Sequence, residues 1–280
     1  TTIDINGAIN ASGEIIAASL DISGNIDVDG TTNLDVVDID GAVDMASTLQ
    51  VDGAITFSST LNGLDILADT TNFVDSILIS QNASTGTLSS ASNNTGLGDS
   101  VFAALTSGVD NTIVGGLAGD ALTTGSRNVA IGRSALGLDT QGSSTVAIGF
   151  GALDAQNFTS ATDTYNTAVG RSAGGAITTG VQNTIIGGLS GDALTTGFNN
   201  VAMGYFALGG EDTGRKNVAI GVSALKVQNS DADNFNTAVG FEAGQAVTTG
   251  VQNTIVGALA LDANTTASNN TAIGYRAGTT

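Results

Sequence analysis

The phrase NVAIG, at residues 128–132, is one of eleven variants of a five-residue pattern between residues 94 and 274. The second residue of each variant is Thr or Val, the fourth is aliphatic or Met, and the fifth is Gly. The variants are NTGLG (94–98), NTIVG (111–115), NVAIG (128–132), TVAIG (145–149), NTAVG (166–170), NTIIG (183–187), NVAMG (200–204), NVAIG (217–221), NTAVG (236–240), NTIVG (253–257) and NTAIG (270–274). Self-similarity at a short fixed period is typical of a stacked repeat protein.

Each phrase predicts a short strand with one buried face, followed by a sharp corner. β-Branched residues favour strands, and glycine permits backbone conformations that crowd other residues. Asn opens ten of the phrases, and Asn is the non-glycine residue that best tolerates a left-handed backbone. We therefore predict an all-β parallel β-solenoid of 11–12 coils. The predicted corner glycines are Gly98, Gly115, Gly132, Gly149, Gly170, Gly187, Gly204, Gly221, Gly240, Gly257 and Gly274.

The spacing between phrases is 17 residues except at two places, where it is 21 residues after Thr145 and 19 residues after Asn217. The two longer coils contain the inserts LDAQNFTSATDTY (153–165) and LKVQNSDADNF (225–235). They occupy corresponding places in a longer repeat of four coils. This repeat is seen at the position four residues after the corner glycine, where pairs of Gly and pairs of Leu alternate. The sequence therefore indicates duplication of a four-coil unit, with both inserts on the same face.

Residues 1–75 form a second and looser repeat, in which aliphatic residues alternate with Asp, Asn, Ser or Thr between glycine-containing turns. Strict alternation favours short strands with one solvated face. We expect a repetitive Asp/Gly-rich β shaft over 1–75 and solenoid repeats over 76–280. The run SILIS (76–80) fits the phrase imperfectly, and we expect it to form a degenerate first coil.

Composition excludes several classes of partner. The chain of 280 residues has a formal charge of −19 and contains no His, Pro, Cys or Trp. An acidic surface argues against nucleic acid and against charge-driven binding to anionic membranes. The sequence has no apolar run long enough to insert into a membrane.

The repeats resemble the head repeats of trimeric autotransporter adhesins, the YadA-like head, and similar arrays in tail-fibre and structural proteins of marine bacteriophages. The resemblance covers roughly residues 76–280 and is carried by NVAIGRSAL (128–136), NTAVGRSAG (166–174) and NTAIGYRAG (270–278). It departs from the adhesin pattern in its 17-residue period, where the adhesin period is shorter. The resemblance implies a left-handed parallel β-roll in which three copies of the chain pack around a common axis.

Catalytic chemistry finds little support in the sequence. Left-handed hexapeptide acyltransferases are solenoids with similar coils, but their reaction generally needs a His base. No phosphate-binding glycine loop and no EF-hand loop is present, and Asp at alternate positions is typical of a solvated strand face. We therefore expect no catalytic residues, no cofactor and no metal site.

Aromatic residues are scarce, and Phe158, Tyr165 and Phe235 lie in or beside the inserts. Exposed aromatic rings on a rigid scaffold commonly contact proteins or carbohydrates, so these three are the candidate receptor contacts. The alternative is that they cover the ends of the inserts. Paired threonines late in the coils, such as Thr123–Thr124 and Thr195–Thr196, raise the separate possibility of an ice-binding face. Only one member of each pair could join such a face, which favours ordinary turn and strand threonine.

The sequence as a whole predicts a non-enzymatic fibre or adhesion protein. The first hypothesis is a segment of a bacteriophage tail fibre or virion appendage that spaces or presents a receptor-binding site. A bacterial trimeric autotransporter adhesin head is the second, and a monomeric ice-binding solenoid is the third. The expected partners are two further copies of the chain and a host cell-surface glycan or protein, with no nucleic acid and no membrane insertion. The expected location is the virion or an extracellular surface.

Overall fold

The computed structural model describes residues 65–80 and 85–279, all of which belong to one compact unit, Thr56–Thr280. This part of the chain is an all-β parallel β-solenoid of about 12 turns with repeats of about 17 residues, and it contains no helix. The predicted solenoid is therefore confirmed. The predicted shaft over 1–75 lies mostly outside the described residues, and residues 65–75 form a strand and the start of a second one.

Most of the strands are three residues long, one from each repeated phrase. The described strands are β1 (Asp65–Thr70), β2 (Phe73–Ser80), β3 (Ala91–Ser92), β4 (Thr95–Leu97), β5 (Thr112–Val114), β6 (Val129–Ile131), β7 (Gly142–Ser143), β8 (Val146–Ile148), β9 (Thr162–Asp163), β10 (Thr167–Val169), β11 (Thr184–Ile186), β12 (Val201–Met203), β13 (Val218–Ile220), β14 (Thr237–Val239), β15 (Thr254–Val256) and β16 (Thr271–Ile273).

One parallel ladder runs through the solenoid. Strands β4, β5, β6, β8 and β10 to β16 pair in sequence order, each residue opposite its equivalent in the next coil. Strand β2 pairs in parallel with β4, with Ile77 opposite Thr95, and antiparallel with β1. SILIS (76–80) therefore begins the ladder, as the sequence indicated.

The buried residue of each strand is the middle one, in the third position of the phrase. Ile113, Ala130 and Ile185 are buried, whereas their neighbours on either side are exposed or half-buried. The expectation of a single buried face is correct. The aliphatic fourth position, however, points outward together with the β-branched second position, because alternate residues of a strand face opposite sides.

In six of the ten coils that begin at Asn111 to Asn270, a large residue at one of two interior positions is accompanied by a small residue at the other. Where the buried strand residue is Ala130, the residue six positions later is Leu136, and where it is Ile113 the equivalent residue is Gly119. A Cβ atom on Gly119 would lie 3.3 Å from Ile113 Cδ1, so a larger residue would overfill the interior. Close-packed interiors tolerate such exchanges only when total volume is kept.

The corner glycines stack directly on one another along the solenoid. All eleven have φ between 120° and 142°, outside the region that L-residues occupy readily. A Cβ atom on Gly187 would lie 2.7 Å from the carbonyl carbon of Gly204, the equivalent glycine of the next coil. These positions therefore require glycine for two independent reasons: the backbone conformation and the close approach of the next coil.

The asparagines that open the phrases form a buried ladder of side chains. Asn111 Nδ2 donates to the carbonyl oxygen of Gly125 in its own coil at 3.0 Å, and Asn111 Oδ1 accepts from the amide of Asn128 at 2.9 Å. The residue with a left-handed backbone is not Asn128 itself but the residue before it, Arg127, with φ of 59°. Asn is therefore needed for its side-chain hydrogen bonds, and the expectation that it serves as a tolerant backbone position is wrong.

Candidate interaction surfaces

The outer face of the parallel sheet carries two rows, one of Thr and Val and one of aliphatic residues, which are exposed near the ends of the ladder and half-buried in most of the coils between them. They occupy the second and fourth positions of the phrases. In the aliphatic row Leu97 is 49% exposed, Ile131 39%, Val256 37% and Ile273 69%. Strands β4 to β16 carry no charged residue in either row. This face is a long, flat, uncharged surface on an acidic chain.

Four exposed aromatic residues lie directly after corner glycines, in coils that are two or three apart. Phe150, Tyr205, Phe241 and Tyr275 are between 50% and 71% exposed. These four residues lie outside the inserts and were not among the predicted contact residues. Their signal is positional, since each follows the fifth residue of a phrase. Exposed aromatic rings on a rigid scaffold are common in contact surfaces.

The three predicted contact residues have different surroundings. Tyr165 is 59% exposed and Phe235 is 49% exposed, and each is the left-handed residue immediately before a phrase. Lys216 Nζ lies 4.9 Å from the centroid of the Phe235 ring. Phe158 is only 7% exposed, so its ring offers no contact surface. The burial of Phe158 agrees with the other interpretation of the insert aromatics, in which the ring covers the insert against the coil.

The inserts remain close to the solenoid. In the first, only residues 159–161 form a continuous exposed run before β9 pairs in parallel with β7. Arg127 and Asp163 form an ion pair of 2.6 Å between the insert and an earlier coil, and the Arg127 guanidinium lowers the pKa of the exposed Asp163 carboxyl. In the second insert, Lys216 and Asp233 make the equivalent connection, also at 2.6 Å.

A fully buried carboxylate lies in the coil before each insert, at a core position that is Leu, Ile or Val in most other coils. Asp139 Oδ1 accepts hydrogen bonds from the amides of Gly142 and Phe158, both at 3.0 Å. Gln156 Nε2 donates to Asp139 Oδ2 at 2.6 Å. Both carboxylate oxygens of Asp139 thus accept hydrogen bonds from the insert or the turn, as a buried carboxylate requires.

The corresponding carboxylate below the second insert is Glu211. Its Oε1 accepts from the amides of Gly214 at 2.9 Å and Ser230 at 3.2 Å, and its Oε2 accepts from Asn234 Nδ2 at 2.8 Å. Burial raises the pKa of Glu211 above its ordinary value of 4.5, and the two backbone hydrogen bonds partly oppose that rise. The charged form is therefore the less favourable one inside the folded coil.

This raised pKa predicts that the second insert is more stable in acid. The folded state holds a proton on Glu211 at pH values where the unfolded chain has released it, so the stabilisation is complete below pH 4.5 and is lost as the pH rises through the folded pKa. Hydrogen exchange of the Gly214 and Ser230 amides, compared between wild type and Glu211→Gln, measures this effect. The difference between the two proteins should shrink in acid. A constant difference across the pH range would contradict the prediction.

No family model, no curated protein and no solved structure matches this chain. Within residues 65–80 and 85–279, no helix is long and apolar enough to cross a membrane. The same residues contain no group of three or more acidic side chains arranged to hold a metal ion. The exposed surfaces of the solenoid described above are therefore the basis for the proposed function.

Proposed function

We propose that this chain is a non-enzymatic rod segment of a fibre, of the kind found in bacteriophage tail fibres and virion appendages. Its role is to space or present a receptor-binding site on a virion or an extracellular surface. The observation that carries the proposal is the unbroken ladder from Ile77 to Ile273, in which every coil is hydrogen-bonded to its neighbours. Such a stack is stiff along its axis and can be lengthened by adding coils.

The rod is proposed to be a parallel homotrimer that packs through the outer sheet face. Eleven strands spaced by about 4.8 Å make this face about 50 Å long. An aliphatic row of that length, beside a row of Thr and Val and without any charge, is a candidate interaction surface. Its rows repeat once per coil, and a second copy of the chain carries rows with the same spacing. The uncharged face also brings copies of formal charge −19 together where their repulsion is weakest.

Sedimentation of the full chain tests this assembly, and a particle of three times 27.5 kDa is expected. Replacing both Ile131 and Val256 with Glu should yield folded monomers, because both side chains point outward and each variant position would bury a charge in the interface. The matched control replaces Thr124 and Thr249, exposed at a different corner, with Glu. A folded wild-type monomer would exclude the trimer, and dissociation of the control as well would exclude the outer sheet face as its interface.

The ice-binding alternative is disfavoured by the threonine columns. The first Thr of each pair is committed to the stack: Thr123 Oγ1 donates to the carbonyl of Thr140 at 2.9 Å, and Thr195 Oγ1 donates to that of Asp212 at 3.1 Å. The second Thr of each pair is exposed, but Gln141 and the buried Phe158 interrupt its column. The late-coil threonines therefore do not form a continuous flat row.

A further inference from the structure

A groove of about 330 Å³ lies on the solenoid surface away from the outer sheet face. It crosses three successive coils, those that begin at Asn183, Asn200 and Asn217. The residues that line it include a carboxylate, an amine, an amide and an aromatic ring, and they are Asp192, Phe206, Gly209, Lys226, Val227 and Asn229. A concave site with a few polar groups and an aromatic wall has the composition of a small-molecule site.

Asp192 is the polar centre of the groove. Its Oδ1 is buried and has no hydrogen-bond partner among the described residues. None of the ion pairs found in that part of the chain includes Asp192, although Lys226 lines the same groove. Burial also raises the pKa of this carboxyl. The carboxylate of Asp192 lines the groove, and a carboxylate can accept a hydrogen bond from a ligand hydroxyl.

The aromatic wall of the groove, formed by Phe206, is held in place by two contacts. Lys226 Nζ lies 5.3 Å from the centroid of the Phe206 ring, within the range of a cation–π interaction. Tyr205 packs edge-on against the same ring, with centroids 4.7 Å apart and an interplanar angle of 81°. The ring and the amine are therefore positioned before any ligand arrives, which reduces the entropy lost on binding.

The equivalent place in the first four-coil unit, 72 residues earlier, provides an internal comparison. Asp120 corresponds to Asp192 and Gly137 to Gly209, so the backbone frame is repeated. Ser134 stands in place of Phe206 and Asp154 in place of Lys226, which removes the ring and the amine. The solenoid therefore folds without an aromatic ring and an amine at the equivalent site of the first unit.

We propose that the groove binds one neutral pyranose ring, a hexose or N-acetylhexosamine residue of a glycan. A sugar hydroxyl both donates and accepts, so one hydroxyl donates to the Asp192 carboxylate while others accept from Lys226 and Asn229. The C–H face of the ring packs on Phe206 and Val227. One negative and one positive side chain balance each other, which suits a neutral ligand. This activity goes beyond the proposed rod, because a spacer needs no groove.

Titration of the full chain with glucose, galactose, mannose and N-acetylglucosamine, followed by saturation-transfer NMR, tests the proposal. At least one sugar should bind saturably with a Kd of about 1–10 mM, as expected for a ligand of this size. Asp192→Ala should weaken binding at least tenfold. Gly209→Ala should do the same, because its methyl group would lie 3.0 Å from Phe206 Cδ1 and 3.2 Å from Asp192 Oδ1.

Asp120→Ala and Gly137→Ala are the matched controls, and both should bind sugar as the wild type does. Free leucine, a zwitterion that could bridge Asp192 and Lys226, is titrated in parallel. The proposal is overturned if no sugar binds saturably, if the controls lose binding equally, or if only leucine binds. Sedimentation of the same variants reports the rod independently, so failure of this proposal is distinguishable from failure of the proposed function.

Discussion

Replacing Gly221 with Val is expected to unfold its coil and the neighbouring coils, at a cost of about 2–6 kcal/mol. The first part of the cost is conformational, because Gly221 has φ of 133°. The second is steric, since a Cβ atom would lie 2.6 Å from the carbonyl carbon of Gly240 and 3.2 Å from the amide nitrogen of Phe241. Hydrogen exchange should show lost protection near that coil and retained protection in distant coils, because each repeat contacts only its neighbours.

Two control variants separate these parts. Gly274 has φ of 120° but nothing within 4 Å of its Cβ position, so Gly274→Val reports the conformational cost alone. Gly188 lies outside the left-handed region, and its nearest neighbour would be Tyr205 Cδ2 at 3.7 Å. Gly188→Val should therefore be nearly neutral. Equal hydrogen-exchange protection in Gly221→Val and Gly188→Val would show that the corner position does not require glycine.

The second large effect is expected for Asn200→Leu, which interrupts the buried asparagine ladder. Asn200 Nδ2 donates to the carbonyl of Gly214 at 3.0 Å, and Asn200 Oδ1 accepts from the amide of Asn217 at 3.0 Å. Leucine leaves both backbone groups buried without partners. Each such group costs about 1–3 kcal/mol, so chemical denaturation should show a loss of about 2–6 kcal/mol.

Asn270→Leu is the matched control for the ladder. Asn270 is half-buried in the last described coil, and its Nδ2 donates to Asn253 Oδ1 at 2.9 Å and to Ser268 at 3.3 Å. Among the described residues, no backbone amide donates to its oxygen. The loss should be less than half of that for Asn200→Leu. Equal losses would indicate that side-chain volume rather than the hydrogen bonds determines the effect.

The sequence was sufficient to predict the coil, because its period, its β-branched positions and its invariant glycine each constrain the backbone directly. Gly221 illustrates this, since glycine recurs at its place in all eleven phrases and so indicates a backbone conformation that other residues rarely adopt. The role of the opening asparagines was not predictable in the same way. Asn128 bonds to residues 14 and 17 positions away, and that arrangement depends on how the coil closes.

The interaction surfaces were harder to predict than the fold. Alternation within a three-residue strand does not say which side is inward, so the exposed row containing Ile131 could not be distinguished from a core row. The sequence left open whether Phe158 is exposed, because insert residues can fold back over the core, where its amide binds Asp139. The groove combines Asp192, Phe206 and Lys226 from three different coils, and none of these residues forms a motif by itself.

The two buried carboxylates have a consequence for the fidelity of folding. A chain of near-identical coils can misfold by omitting one coil and stacking the next in its place. If residues 145–165 were omitted, Asp139 would face Ile177 in place of Gln156 and would lose the donor to its Oδ2. Omitting residues 217–235 would remove Asn234 from Glu211 in the same way. Because a buried charge without its partner is strongly destabilising, each unit contains one coil that cannot be skipped. The two long coils thus help to fix the number and order of coils in an otherwise uniform stack.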